Sequence, residues 1–197
     1  MNYYTKFAAP IMEGNRVKGF FIENKAGRQA ICAKVVLDCT GDGDVCASAG
    51  VPFEIGDGNG GMQACDMGFR LVNIDDAKFN QGYFFDNAAR MMAEGVASGE
   101  YKLTRTGGNL EYSLIQGVYS ANMARIPWAV DGTNPEHLTR SFIEGRQIAQ
   151  EFARFLRDKI PGMENSALVE TGVKIGLRET RRVIGEYVFN GEEVLSG

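Results

Sequence analysis

The run Val35-Val36-Leu37-Asp38-Cys39-Thr40-Gly41-Asp42-Gly43-Asp44 constrains this chain more than any other stretch of it. Val35 to Leu37 form a short apolar, β-branched segment of the kind that lies inside a parallel sheet covered on both faces, and Thr40 to Asp44 cannot continue it. Val45-Cys46-Ala47-Ser48-Ala49 suits a helix, with Gly50 as its stop and Pro52 just beyond. Strand, glycine turn and helix in that order predict an open α/β sheet, in which ligands bind outside the carboxyl ends of the strands.

Upstream, Val17 to Ile22 and Arg28 to Cys32 read as two strands joined by Asn24-Lys25-Ala26-Gly27, a β-hairpin. Downstream, Gly56, Gly58, Gly60 and Gly61 form a flexible connector, and a domain boundary is expected near residue 55. From Gln63 to Val72, Met67, Phe69 and Leu71 alternate with Asp66, Gly68 and Arg70, which marks a half-buried strand. A helix is expected over Phe84 to Ser98, with Phe85, Ala88, Met92 and Val96 on one face. The clearest helix follows Asn134, which can cap it, and Pro135, which suits its first position. Leu138, Phe142, Gly145, Ala149, Phe152 and Leu156 form its apolar stripe, and Pro161-Gly162 ends it. Near the carboxyl end, Asn190 with Glu193 at the third position resembles a capping box.

Composition narrows the function classes. A net charge of -4, with no basic stripe, argues against nucleic acid as a partner. No apolar run approaches the roughly 20 residues that span a bilayer, and the amino terminus is not a secretion signal, so a cytoplasmic protein without membrane contact is expected. Cys32, Cys39, Cys46 and Cys65 match neither a C-x-x-C pair nor zinc spacing and read as buried thiols. His137 is the only histidine, and it falls at a helix start away from the glycine turn. Asp38, Thr40, Asp42 and Gly43 fit the start of a calcium loop, but the twelfth position is Ala49, where a bidentate Glu is required, so no metal is expected. Arg178, Arg181 and Arg182 could bind a carboxylate or phosphate through the guanidinium fork, or simply pair with Glu179 and Glu186. Arg125 and Asn122, in Asn122-Met123-Ala124-Arg125, are further candidates for lining a substrate pocket, whereas Trp128 reads as core or interface.

The run from Ala33 to Val45, followed by Ala49-Gly50-Val51-Pro52-Phe53, resembles the second flavin-contacting motif of FAD-dependent oxidoreductases of the glutathione-reductase type. Gly176-Leu177-Arg178-Glu179-Thr180-Arg181-Arg182-Val183-Ile184-Gly185 is similar to the arginine-rich segment of one bacterial branch of those flavoproteins. Val130-Asp131-Gly132-Thr133 and the helix after it also read like that branch, and a small β-meander precedes the flavin-contacting strand there as here. The resemblance implies FAD as cofactor, contacted by Thr40, Gly41, Asp42, Gly43 and Asp44, where a Cβ at either glycine would obstruct close approach. It implies a small-molecule substrate with an anionic group oriented by Arg178 and Arg182, beside the pocket candidate Arg125, and a hydride passed between that substrate and the flavin. The fold expected is α/β or α+β: residues 1–54 as the carboxyl-terminal part of a Rossmann-like FAD domain with a β-hairpin, and residues 55–197 as a mixed sheet-and-helix substrate or cap domain.

One element of the family pattern is missing. The strand, G-x-G-x-x-G and helix that hold the FAD pyrophosphate at a helix N-terminus do not occur together in the sequence, since the glycine spacing at Gly56, Gly58 and Gly61 leads into the alternating strand pattern of Gln63 to Val72 and not into a helix. An internal piece of a longer protein, inactive by itself, is therefore expected. The alternative from another class is a non-catalytic structural or interaction domain that does not retain FAD. A flavin-free hydrolase or lyase finds no Ser/His/Asp arrangement to support it. No residue can be assigned as catalytic acid or base, and substrate, electron acceptor and oligomeric state are not legible.

Overall fold

The structure, a computed structural model, describes residues 2–197. The chain packs as two compact units. The first runs to Asn59 and takes in Glu179–Gly197; the second is Gly60–Arg178.

In the first unit, β1 (Lys6–Glu13), β2 (Arg16–Asn24) and β3 (Gly27–Cys32) form an antiparallel sheet in that order. The β2–β3 reversal is made locally: Asn24 Oδ1 accepts the Ala26 N–H at 2.9 Å, and Gly27 takes φ +94°, where a Cβ would be strained. After a short helix, α1 (Asp44–Ser48), strand β4 (Phe53–Ile55) pairs antiparallel with β9 (Arg181–Val183), which matches Glu54 to Arg182 and Ile55 to Arg181. The chain ends in α4 (Gly191–Ser196), where Asn190 and Glu193 form the reciprocal capping box that their spacing suggests.

The expected strand at Val35 to Leu37 does not form. These residues join no ladder, and Val35 and Leu37 are 75% and 81% exposed. Propensity alone cannot hold an extended segment without a neighbouring strand to take its N–H and C=O groups. All the pairings between named strands are antiparallel, so of the two expected classes it is α+β that the protein adopts. The cysteines also depart from expectation. Cys65 is buried and Cys46 half-buried, but Cys32 and Cys39 are exposed, because β3 is an edge strand and Cys39 lies in the segment that joins no sheet.

The second unit carries the larger core. Strands β5 (Asp66–Val72), β6 (Asn109–Tyr112), β7 (Tyr119–Arg125) and β8 (Ala167–Thr171) form one sheet in the order β6-β7-β5-β8. Met67, Phe69 and Leu71 of β5 and Met123 of β7 point inward. Against them pack α2 (Gln81–Ala97) and α3 (Pro135–Lys159). Helix α3 buries Gly145, Ala149, Phe152 and Leu156 as its stripe predicts, together with Ser141 and Phe155. Gly145 allows the helix to lie close on β5, since a Cβ there would stand 3.0 Å from Met67 Cβ. Helix α2 begins at Gln81, capped by Asn80, whose Oδ1 accepts the Tyr83 N–H at 2.9 Å. Its buried face is Phe84, Ala88, Met92 and Gly95, while Phe85 and Val96 are exposed. The core face is thus rotated from the expected one, with Phe84 as anchor and Gly95 admitting the buried Tyr101 ring.

Candidate functional site

The glycine turn of the first unit is built by one carboxylate. Asp38 Oδ1 accepts the Thr40 N–H at 3.0 Å and the Thr40 hydroxyl at 2.7 Å, and its Oδ2 accepts the Cys46 N–H at 2.9 Å. Thr40 Oγ1 in turn accepts the Asp44 N–H at 2.9 Å. Partial burial works against the Asp38 charge, but donation from the Cys46 and Thr40 backbones and the Thr40 hydroxyl outweighs it and brings the pKa down to about 2. Burial and the adjacent Asp38 charge push the Cys46 thiol up, which removes thiolate character at neutral pH.

These bonds fix the loop while leaving its crest open. Gly41 has φ +87° and no atom within 4 Å of where a Cβ would stand; Gly43 has φ +62° with Val183 Cγ2 at 3.0 Å. The N–H groups of Gly41, Asp42 and Gly43 have no hydrogen-bond acceptor among the described residues. Arg181 braces the loop from β9: its Nη1 donates to the Asp42 carbonyl at 3.1 Å and to Asp44 Oδ1 at 2.7 Å, and its guanidinium lies 5.4 Å from the Phe53 ring centre. The β4–β9 pairing that delivers Arg181 is too short to be read from the sequence, which gave no reason to prefer it over Arg178 and Arg182.

The predicted arginines do not form one cluster. Arg182 is committed to Glu179 at 2.8 Å, to Glu54 at 3.5 Å and to the Gly56 carbonyl. Arg178, in the second unit, is half-exposed and stands 3.6 Å from Asp66 Oδ2. Arg125 is exposed at the end of β7, in register with Asp66 across the ladder. Thr40, Gly41, Asp42, Gly43 and Asp44 do lie together in one turn.

On the outer face of the second unit's sheet is a cleft of about 640 Å³, whose lining includes Asp66, Gly68, Arg70, Asn122, Glu170 and Arg178. Asp66 is a residue that sequence reasoning missed. Its alternation with Met67 placed it on the outer face of β5, yet the turn after β8 folds over it: Gly176 N–H donates to the Asp66 carbonyl at 2.9 Å. Its Oδ1 is sealed from solvent without a hydrogen-bond partner. His137 is occupied elsewhere, its Nδ1 accepting the Asp131 N–H at 3.2 Å and its ring edge-on to Trp128. Among the described residues no group of three or more His, Cys, Asp or Glu side chains could hold a metal ion, and no helix is long and apolar enough to cross a membrane.

A family model described as FAD dependent oxidoreductase matches residues 1–197. The chain belongs to the FAD-dependent oxidoreductase family. No curated protein and no solved structure matches it. For a FAD-dependent oxidoreductase the glycine turn has the right chemistry. An open crest without side chains at Gly41 admits a flat or polyhydroxylated group to van der Waals distance, and three unbonded N–H groups can donate to its oxygens.

Proposed function

We propose that this chain supplies the flavin-contacting turn and the substrate region of a glutathione-reductase-type flavoenzyme that passes a hydride between a small organic substrate and FAD. Residues 1–54, completed by the 179–197 segment that packs in the same unit, act as the carboxyl-terminal part of the FAD-binding domain, and the rest of residues 55–197 as the substrate or cap domain. Thr40, Gly41, Asp42, Gly43 and Asp44 approach the cofactor, with Asp38 and Arg181 holding their loop in shape. Arg178 binds the substrate from the outer sheet face, and Arg125 extends the positive charge along β7. Arg182 has a smaller part in this reading, since Glu179 and Glu54 already neutralise it. FAD supplies the two-electron chemistry when bound, and the protein supplies orientation and electrostatics.

The observation that carries the reading is the open, unbonded crest at Gly41 in a chain whose whole length matches the family. The test uses the coding sequence extended upstream to include a G-x-G-x-x-G element. That protein is expected to purify yellow, with an absorbance band at about 450 nm from a bound flavin. Gly41→Val is expected to release most of the flavin, and because a β-branched side chain is strained at φ +87° it also lowers the unfolding temperature of the apoprotein. Full flavin retention by Gly41→Val would remove the turn from the site, and a colourless parent would remove the flavin itself.

A further inference from the structure

The connector after β4, Gly56 to Gly61, belongs neither to the core nor to the glycine turn, and it contains a chemically reactive pair. Asn59 and Asn190 are the asparagines that precede a glycine. In such a pair the backbone nitrogen of the glycine can attack the asparagine Cγ, because no Cβ crowds its approach. Folding decides whether it does. The attack needs a side-chain amide free to turn back on the main chain and a backbone N–H not engaged elsewhere.

The two pairs are held differently. Asn190 Oδ1 accepts the N–H groups of Glu192 and Glu193 at 3.0 and 3.1 Å, so its amide is committed to capping α4. Asn59 lies exposed in a bend, and its backbone is held by donation of its N–H to Asp57 Oδ1 at 2.8 Å. Among the described residues, neither the Asn59 side-chain amide nor the Gly60 N–H makes a hydrogen bond. Gly60 is exposed too, with no atom within 4 Å of where a Cβ would stand. Exposed segments with few buried contacts deform at small free-energy cost, which lets this pair reach the geometry of attack.

We propose that Asn59–Gly60 is a site of spontaneous covalent modification, in which the protein's own backbone is the nucleophile and water the only co-reactant. The Gly60 nitrogen forms a bond to Asn59 Cγ. The bond from Cγ to the side-chain nitrogen breaks, and that nitrogen leaves as ammonia with the proton given up by the Gly60 N–H. Water then opens the cyclic imide at one of its two carbonyls. Opening at Cγ gives an aspartate; opening at the main-chain carbonyl gives an isoaspartate, with the chain running through Cγ and one carbon longer. Nothing is oxidised or reduced. Either product adds a negative charge two residues from Asp57, and the isoaspartate also lengthens the connector. The inference goes beyond the flavin reading and does not depend on it.

The test ages the folded chain in neutral buffer beside the same chain unfolded in urea. Mass spectrometry of the tryptic peptides 35–70 and 183–197 follows the mass gain that marks exchange of an amide nitrogen for oxygen, located by fragmentation. In the folded chain Asn59 is expected to convert at least about ten-fold faster than Asn190. In urea, where the α4 cap is lost, the two rates should agree within about three-fold. Gly60→Ala, which sets a methyl group beside the nucleophile, is expected to slow Asn59 by about ten-fold or more and to leave Asn190 unchanged. A ratio of Asn59 to Asn190 no larger in the folded chain than in urea overturns the proposal. So does an Asn59 that stays intact in the folded chain while it converts in urea, since the connector would then protect it. An unchanged Asn59 rate in Gly60→Ala overturns it as well, by taking the Gly60 nitrogen out of the reaction. Should that variant not fold, its rate in urea against the parent's in urea gives the same reading.

Discussion

The segment from Val35 to Ala49 and the helix α3 hold their shapes by opposite means. Around the glycine turn the apolar side chains of Val35 and Leu37 lie open, and order comes from a few side-chain to main-chain hydrogen bonds centred on Asp38. In α3 order comes from a stripe of fully buried residues, Ala149, Phe152, Phe155 and Leu156, against one sheet. Polar scaffolding can fix a backbone while leaving its surface free to meet something else. Apolar burial fixes a backbone by using that surface up.

Removing the largest buried group should show the contrast most strongly. Phe152→Ala is expected to destabilise the second unit by about 3–5 kcal/mol, since Phe152 is wholly buried, and to lower its thermal midpoint while hydrogen exchange in the turn stays unchanged. Accelerated exchange at Thr40 and Cys46 in that variant would show that the two regions are not independent. Asp38→Asn comes next, at about 1–3 kcal/mol, because an amide can keep one acceptor but presents N–H to the Cys46 N–H. Its exchange signature should be confined to Thr40, Asp44 and Cys46. Asp38 also predicts a pH dependence. Its folded pKa, about 2, lies below the unfolded value, so its stabilisation is complete above about pH 4 and is lost as pH falls through 2. Acid titration of the parent should show that loss, and Asp38→Asn should lack it. Asn134→Ala is expected to cost about 1 kcal/mol, for the cap whose Oδ1 accepts the Glu136 N–H at 2.9 Å. The smallest effect belongs to Arg90→Ala, about 0.3–0.5 kcal/mol, because its ion pair with Glu94 spans one turn of an exposed helix face.

What was legible in the sequence was what is determined locally. The β2–β3 hairpin, the Asn134-Pro135 helix start, the inward alternation of Met67, Phe69 and Leu71, and the Asn190–Glu193 box each rest on residues within a few positions of one another. Val35 to Leu37 misled because strand propensity says nothing about the presence of a ladder partner. The face of α2 misled because a stripe read one position off still looks amphipathic, and only the packing of Phe84 and Gly95 selects between the two. For the site, the turn from Thr40 to Asp44 was visible as glycine spacing. The brace from Arg181 and the isolation of Asp66 were not, since each depends on a contact made more than a hundred residues along the chain.

The pairing of β4 with β9 also dictates an order of assembly. Asp44 emerges from synthesis 137 residues ahead of the arginine that holds it. Until then the first unit is incomplete, and closing so long a stretch of flexible chain carries an entropic cost that grows with its length. The intervening 60–178 unit has its own core, so its prior folding would collapse that stretch and leave only a short search for Arg181. The last part of the turn to mature is therefore set by the completion of a neighbour that lies wholly within the gap.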